Sequence, residues 1–512
     1  MERSANVPDG DADMNDNRIS DGSIVPAKRT NNDATEASAE SVEERDSTKR
    51  NDVQSALPRT QCRNNSKSSR LYGVRAAARK DSSLKFTALL HHVDAERLRE
   101  AFFSLKKRAA VGVDEVTWQE YEQDVEANIE DLHGRIHRGA YRAKPSLRKR
   151  IPKPDGRQRL LGIASLEDKI VQQAVLWVMQ CIYEQDFVGF SYGFRPRRNQ
   201  HDALDALSVA ITSKKVNWIL DADIEGFFDT IDHEWLIKFL EHRIGDRRIL
   251  RLISKWLHAG VIEEDGQRLE TTEGTPQGAV ISPLLSNVYL HYVFDLWIEW
   301  WRKQCHHDVI VVRYADDFVI GFESHSEATA CLEALHTRFA KFGLKLHKDK
   351  TRLIEFGRYA LERRKRNGKG RPETFDFLGF THICARTKKH GRFTIHRHSI
   401  AKRVRMKLKE IKAKLRKRMH RPIGETGRWL RRVVQGWLNY HGVPSNSQSL
   451  CRYVDEVTRL WFVIIRRRSQ RGRNGWPWQR MQRLGRLHLP RPRITHPYPN
   501  KRFHARLKVG AV

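Results

Sequence analysis

The chain has 512 residues, too many for one domain of about 150 and enough for two or three around at least one large core. Lys and Arg number 94 against 62 Asp and Glu, a formal charge of +32, which favours a polyanionic partner because phosphate neutralisation supplies most non-specific nucleic-acid affinity. No apolar run reaches the ~18 residues that span a bilayer and no basic, then apolar, start resembles a secretion signal, so neither a membrane span nor export is expected. The six cysteines stand at least 26 positions apart, which excludes a locally spaced Cys/His finger and points to reduced core thiols in a cytoplasmic protein.

Residues 1–60 carry 13 acidic and 8 basic side chains among Asn, Ser, Ala and Thr, with few large apolar residues, and predict disorder. The extension is drawn to residue 83. From Lys85 onward Phe86, Leu89, Leu90, Val93, Leu98, Ala101 and Phe102 fall at helical spacings. A strand is expected over 216–220 ahead of Asp221, and helices over 233–244 and 283–300, where Leu284, Val288, Tyr292 and Trp297 lie near one face. Residues 309–313 and 318–322 mirror each other across Tyr314-Ala315-Asp316-Asp317 and predict a β-hairpin.

Beyond Ala401 the chain turns helical and basic, with 30 Lys or Arg against 4 Asp or Glu in residues 401–512. Val404, Leu408, Ile411, Leu415 and Met419 form one apolar stripe, Trp429, Val433 and Trp437 a second, and Leu450, Val454, Val457, Leu460 and Ile464 a third. Three amphipathic helices predict a small bundle. The last forty-odd residues, rich in Arg, Pro, Gly and Trp, show no clear period. The expected fold class is α+β with an antiparallel sheet, divided into a body over 84–395, a helical domain over 396–468 and a basic tail over 469–512, the last a candidate nucleic-acid-binding extension.

Asp316 and Asp317 at a hairpin tip place two carboxylates together, an arrangement that like-charge repulsion disfavours unless cations or protons intervene. Mg²⁺ prefers such oxygens, and paired metals serve in-line phosphoryl displacement. An ordinary acidic turn is the plain alternative for the tetrapeptide alone. The segment Asp221-Ala222-Asp223 adds a strand ending in acid, with Asp221 on the Asp223 face, while Asp229 and Asp232 belong near the start of the next helix.

With these residues the chain resembles the reverse transcriptases, most closely the bacterial group II intron-encoded reverse transcriptase/maturase proteins. The landmarks run in family order from Ile151-Pro152-Lys153-Pro154-Asp155-Gly156 through Leu166-Glu167-Asp168-Lys169-Ile170 and Ser191-Tyr192-Gly193-Phe194-Arg195-Pro196 to the Asp223 segment. Gly274-Thr275-Pro276-Gln277-Gly278, the Tyr314 hairpin, Gly343-Leu344-Lys345-Leu346 with Lys350-Thr351, and Phe375-Asp376-Phe377-Leu378-Gly379-Phe380 follow.

The resemblance implies a right-hand polymerase: fingers and palm, then a helical thumb or maturase domain that includes Gly436-Trp437-Leu438-Asn439-Tyr440. It also implies an RNA-directed DNA polymerase in which Asp223, Asp316 and Asp317 are the catalytic, metal-binding triad for two Mg²⁺ ions. Lys153 and Arg159 would contact the incoming deoxynucleoside triphosphate, Phe228 would act as a gate against a ribose 2′-hydroxyl, and Gln277 would touch the nascent base pair.

The implied partners are group II intron RNA, an RNA template with its DNA primer, and target DNA. The HNH endonuclease that ends some relatives has no recognisable counterpart, so cutting the second DNA strand is not expected of this chain. Val111 and Glu115 stand where the family's early fingers loop usually has Pro and Gly, which predicts altered loop geometry. The rival readings are a splicing factor with a decayed polymerase, opposed by the complete acid set, and a retron or diversity-generating enzyme, opposed by the long helical C-terminal region.

Overall fold

The computed structural model describes residues 69–152, 158–468 and 475–502. Helices α1 (Ser69–Lys80), α2 (Ala95–Ser104), α3 (Trp118–Gln123) and α4 (Val125–His137) precede the hairpin β1 (Ser146–Pro152) and β2 (Gln158–Ile163). Two helices, α5 (Leu166–Asp186) and α6 (Gln200–Ser213), lead into β3 (Trp218–Asp223). Next come α7 (His233–Glu241), α8 (Arg247–Leu257), the short strands β4 (Val261–Ile262) and β5 (Arg268–Leu269), α9 (Ser282–Leu290) and α10 (Leu296–Gln304). The expected hairpin is β6 (Val309–Tyr314) and β7 (Asp317–Phe322), followed by α11 (His325–Lys341), β8 (Arg352–Glu355) and α12 (Ala360–Arg366). Strands β9 (Phe375–Phe377), β10 (Phe380–Arg386) and β11 (Phe393–Ser399) close the body, and α13 (Ala401–Lys417), α14 (Ile423–His441), α15 (Ser447–Arg466) and α16 (Trp478–His488) form the C-terminal bundle.

The central sheet has the order β6-β7-β3-β8, every neighbour antiparallel. Strand alternation sorts its side chains between two cores. Leu220, Ala222, Val311, Phe318 and Ile320 pack with Leu236 of α7, Val288 of α9 and Leu335 of α11. Ile219, Val312 and Val319 face the other way, onto Leu204 and Leu207 of α6 and onto Phe375 and Phe380. Because both faces are covered, the strands read as nearly continuous apolar runs.

Two regions differ from the sequence expectation. The extension drawn as disordered to residue 83 contains α1, whose Val74 and Ala78 are buried in the main core. Arg243 holds its end: paired with Asp186 at 2.8 Å, it donates to the carbonyls of Asp81 at 3.3 Å and Leu84 at 2.6 Å. The bundle gains a fourth helix, α16, from the segment that lacked a period, with Met481 buried against Leu430, Val457 and Trp461. Beyond α16 the chain runs back along the bundle to α6. Thr495 and His496 donate backbone N–H groups to the Gly442 carbonyl, the His496 ring stacks on His201 at 3.8 Å, and Arg502 pairs with Asp202 and Asp205. The described cysteines are all free thiols, but only Cys331 is a core residue and Cys451 is exposed.

The loop in which Val111 and Glu115 replace the usual Pro and Gly keeps a glycine-like turn. Glu115 adopts φ +55° and donates its N–H to the Gly112 carbonyl at 3.2 Å, a conformation that costs an L-residue about 1–2 kcal/mol.

Candidate active site

The hairpin between β6 and β7 turns through only Ala315 and Asp316, with Tyr314 and Asp317 as the last pair. A two-residue turn that matches strand twist needs a left-handed residue, and Ala315 supplies it at φ +58° without being glycine. The strip 190–193 presses alongside to hold it there. Arg313 exchanges backbone hydrogen bonds with Phe190 and Tyr192, at 2.9 and 2.8 Å, and Gly193 lies so close that a Cβ on it would sit 2.2 Å from the Ala315 nitrogen.

The side chain of Arg313 does more. It is fully buried, and all five of its donors are used. Nε and Nη2 bind the carboxylate of Asp295, also fully buried; Nη2 reaches Ser191 Oγ at 2.7 Å; Nη1 reaches Asn287 Oδ1 at 3.1 Å and the Ala315 carbonyl at 3.0 Å. Asn287 in turn donates to the Gly193 carbonyl at 2.7 Å. Asp295 ends a π-helical segment, His291–Asp295, between α9 and α10, an irregularity often found at functional sites.

Register does the rest. Asp223, the last residue of β3, lies directly opposite Asp317, the first of β7, and Asp221 shares their face. Like charges opposite one another repel, and the carboxyls of Asp317 and Asp221 are both raised in part by their acidic neighbours. Burial, then the charges of Asp316 and Asp223, push the Asp317 carboxyl up to about 7, although this residue opens to solvent on one side. Burial also raises Asp316, and lifts Asp221 to about 6 with Arg352 acting in the opposite sense. Cations border the cluster. Lys350 Nζ pairs with Asp223, while Arg159 on β2 and Lys350 both lower Asp316, and Arg403 on α13 lowers Asp317. Among the described residues no three His, Cys, Asp or Glu side chains meet closely enough to form a ready-made ligand set. The donors are nonetheless all hard carboxylate oxygens crowded against their own repulsion, the chemistry that suits Mg²⁺.

Phe228 is half-buried in a short turn after β3, its ring edge-on to Phe227 at 5.4 Å. The loop 274–278 is bonded at both ends: Thr275 N donates to the Phe228 carbonyl at 2.7 Å, and the Gln277 carbonyl accepts from Gly162 N at 2.7 Å. Gly278, at φ +114°, leaves room for the Gly162 carbonyl, which would lie 2.8 Å from a Cβ. One loop thus joins Phe228, Gln277 and the strand that carries Arg159, which is exposed. Lys153 lies outside the described residues. Asp232 caps α7 by accepting from Trp235 N at 2.9 Å, as its place before a helix implies. Sequence reasoning did not single out Arg313, Asp295 or Arg403 and gave Lys350 no role, although a lone Arg ending the apolar run Val309-Ile310-Val311-Val312 was a readable signal.

Residues 151–382 match the family model for reverse transcriptase, RNA-dependent DNA polymerase. Protein YkfC of Escherichia coli K12 is 33% identical over 338 residues, 57% of this chain and 87% of that protein. The chain belongs to the reverse transcriptase family. Intron-linked proteins are similar over shorter stretches: the group II intron-encoded protein LtrA of Lactococcus lactis is 39% identical over 167 residues, 32% of this chain and 27% of LtrA. An uncharacterized 91 kDa protein in the cob intron of Schizosaccharomyces pombe is 41% identical over 155 residues, 30% of this chain and 19% of that protein. These two matches span about a quarter or less of the intron proteins' length. The reverse transcriptase has an α+β polymerase fold in which antiparallel sheets are followed by a helical region; the resemblance would make β1 and β2 fingers, the β6-β7-β3-β8 sheet palm and the C-terminal bundle thumb. Enzymes of this family work with divalent metal ions on an RNA template and nucleotide substrates. No helix among the described residues is long and apolar enough to cross a membrane.

Proposed function

We propose that this reverse transcriptase acts for a group II intron, copying the intron RNA into DNA from a DNA primer at the insertion site and assisting splicing in the cytoplasm. The observation that carries the polymerase chemistry is the register of Asp223 against Asp317 with Asp316 in the adjoining turn. These three carboxylates would hold two Mg²⁺ ions. When bound, the ions supply charge stabilisation for the attacking and leaving oxygens of nucleotidyl transfer.

The chain's own groups position the reactants. Arg159, with Lys153, attracts the triphosphate from the fingers side; Phe228 forms the floor beneath the sugar; Gln277 sits on the loop that fixes both. The basic thumb, with 30 Lys or Arg against 4 acids from residue 401 onward, supports a grip on duplex and intron RNA backbones.

Primer extension on an RNA template with Mg²⁺ and deoxynucleotides tests the polymerase, with Asp316→Ala as the inactive control. A folded, template-binding wild-type protein that does not extend would refute it. Splicing is tested apart: the flanking intron RNA at low Mg²⁺ should react faster with protein than without, and no acceleration removes the maturase role.

A further inference from the structure

The central sheet has a second end. Trp218 opens β3 opposite Phe322 of β7 and Glu355 of β8, five residues before Asp223, so at the rise of a strand it lies about 17 Å from the acids. A cleft of about 540 Å³ opens there, within the roughly 300–1,000 Å³ of ligand sites. Part of its wall is flat: the Arg363 guanidinium lies 5.3 Å from the Trp218 ring centre, and His325 at the start of α11 meets that ring edge-on at 4.3 Å. Glu323 and the buried Glu355 add carboxylates to the lining.

The rim is basic. Glu355 is taken by Arg363 and Arg364, Glu373 by Arg364, and Glu362 by Arg386 of β10. Lys365, Arg366, Lys369 and Arg371, on α12 and the turn after it, are exposed and have no acid partner among the described residues. The Arg386–Glu362 pair also draws the tip of the β10–β11 hairpin alongside, where Lys388, Lys389 and Arg392 are equally exposed. A charge run commonly serves only solubility, but this one borders a flat-walled cleft that holds carboxylates.

That contrast selects the partner. An acidic peptide would suit the rim and be repelled inside by Glu323. A nucleotide divides as the site does: phosphates for the cations, a flat base for the Trp218–Arg363 wall, and an exocyclic amino group for a carboxylate. Unpaired bases of RNA loops and bulges are free to enter such a cleft.

We propose that this end of the sheet is a second RNA-binding surface, holding an unpaired, amino-bearing base in the cleft and the flanking phosphates on α12 and the hairpin tip. The proposal deepens the intron-RNA reading above and rests on it.

The test uses the full-length protein preloaded with an RNA template annealed to a DNA primer, so that the duplex site is filled. Labelled single-stranded RNA is then titrated. Oligo(C) should bind roughly tenfold more tightly than oligo(U), which has a carbonyl where cytosine has its amino group. Glu323→Ala should erase that preference and keep the salt dependence. Joint Lys365→Ala, Arg366→Ala, Lys369→Ala and Arg371→Ala substitution should weaken oligo(C) on the order of 100-fold and lower the slope of log affinity against log salt by about 0.7 for each phosphate released. The same variant should extend primers at the wild-type rate yet lose most of its acceleration of intron splicing at low Mg²⁺.

Equal affinity for oligo(C) and oligo(U), an unchanged salt slope in the joint variant, or no binding to the duplex-loaded protein would each overturn the assignment. So would tighter binding of oligo(dC) than of oligo(C), or displacement by a glutamate-rich peptide, which would mark a DNA strand or an acidic protein as the occupant. Wild-type protein that binds oligo(C) as expected but never accelerates splicing would instead remove the intron reading.

Discussion

Replacing Arg313 by Met strips five donors from a site without solvent access and strands the carboxylate of Asp295, which is equally buried. Breaking one side of such a pair costs about 3–5 kcal/mol, against total stabilities of about 5–15 for folded domains, so Arg313→Met should be marginal at ambient temperature. Adding Asp295→Leu removes the stranded charge and should recover part of the loss. It does not restore the bonds to the Ala315 carbonyl, Ser191 and Asn287, each worth about 1 kcal/mol and together the clamp on the left-handed turn.

The double variant should therefore melt above Arg313→Met yet extend primers on the order of 100-fold more slowly than wild type, since displacement of a reacting group by about an ångström costs that much. Denaturation curves and single-turnover primer extension on the same preparations read the two effects separately. A double variant that regains both stability and rate would show that the network merely packs the core and does not place Asp316 and Asp317.

Gly193→Ala puts a methyl group where the Ala315 nitrogen lies 2.2 Å away, so extension should fall at least about 100-fold while circular dichroism remains that of a folded protein. Phe228→Ala should raise ribonucleotide use relative to deoxynucleotide roughly tenfold or more in kcat/KM, and unchanged discrimination would defeat the gate assignment. Glu115→Gly should stabilise the protein by about 0.5–1 kcal/mol in urea titration, because φ +55° strains Glu but not Gly. A chain ending at Leu489 loses the ties of Thr495, His496 and Arg502 to Gly442, His201 and Asp202, and should become protease-sensitive between thumb and palm while each retains its core.

The palm was legible because its signals are local. Two apolar runs mirrored across Tyr314 to Asp317 fix the hairpin, and the strand before Asp223 was read two residues early, from Val216 where β3 starts at Trp218, since Val216 is itself fully buried. What escaped was tertiary in origin. The α1 segment Ser69-Arg70-Leu71-Tyr72-Gly73-Val74 looks polar and broken, and it is helix because α5 covers it and Arg243, more than 160 positions away, holds the carbonyls at its end. The tail beyond α16 has no period because it bonds through backbone groups and ion pairs. Asp295 reads as one acid in a helical pattern until the fold brings Arg313 to it.

The loop 274–278 carries a further consequence. Since its two ends are tied to Phe228 and, through Gly162, to the strand that carries Arg159, a nucleotide whose sugar lifted the Phe228 segment would also tilt Gln277, the residue proposed to meet the nascent pair. Sugar choice and base choice would then be one inspection, and a lesion in either would surface as errors in both.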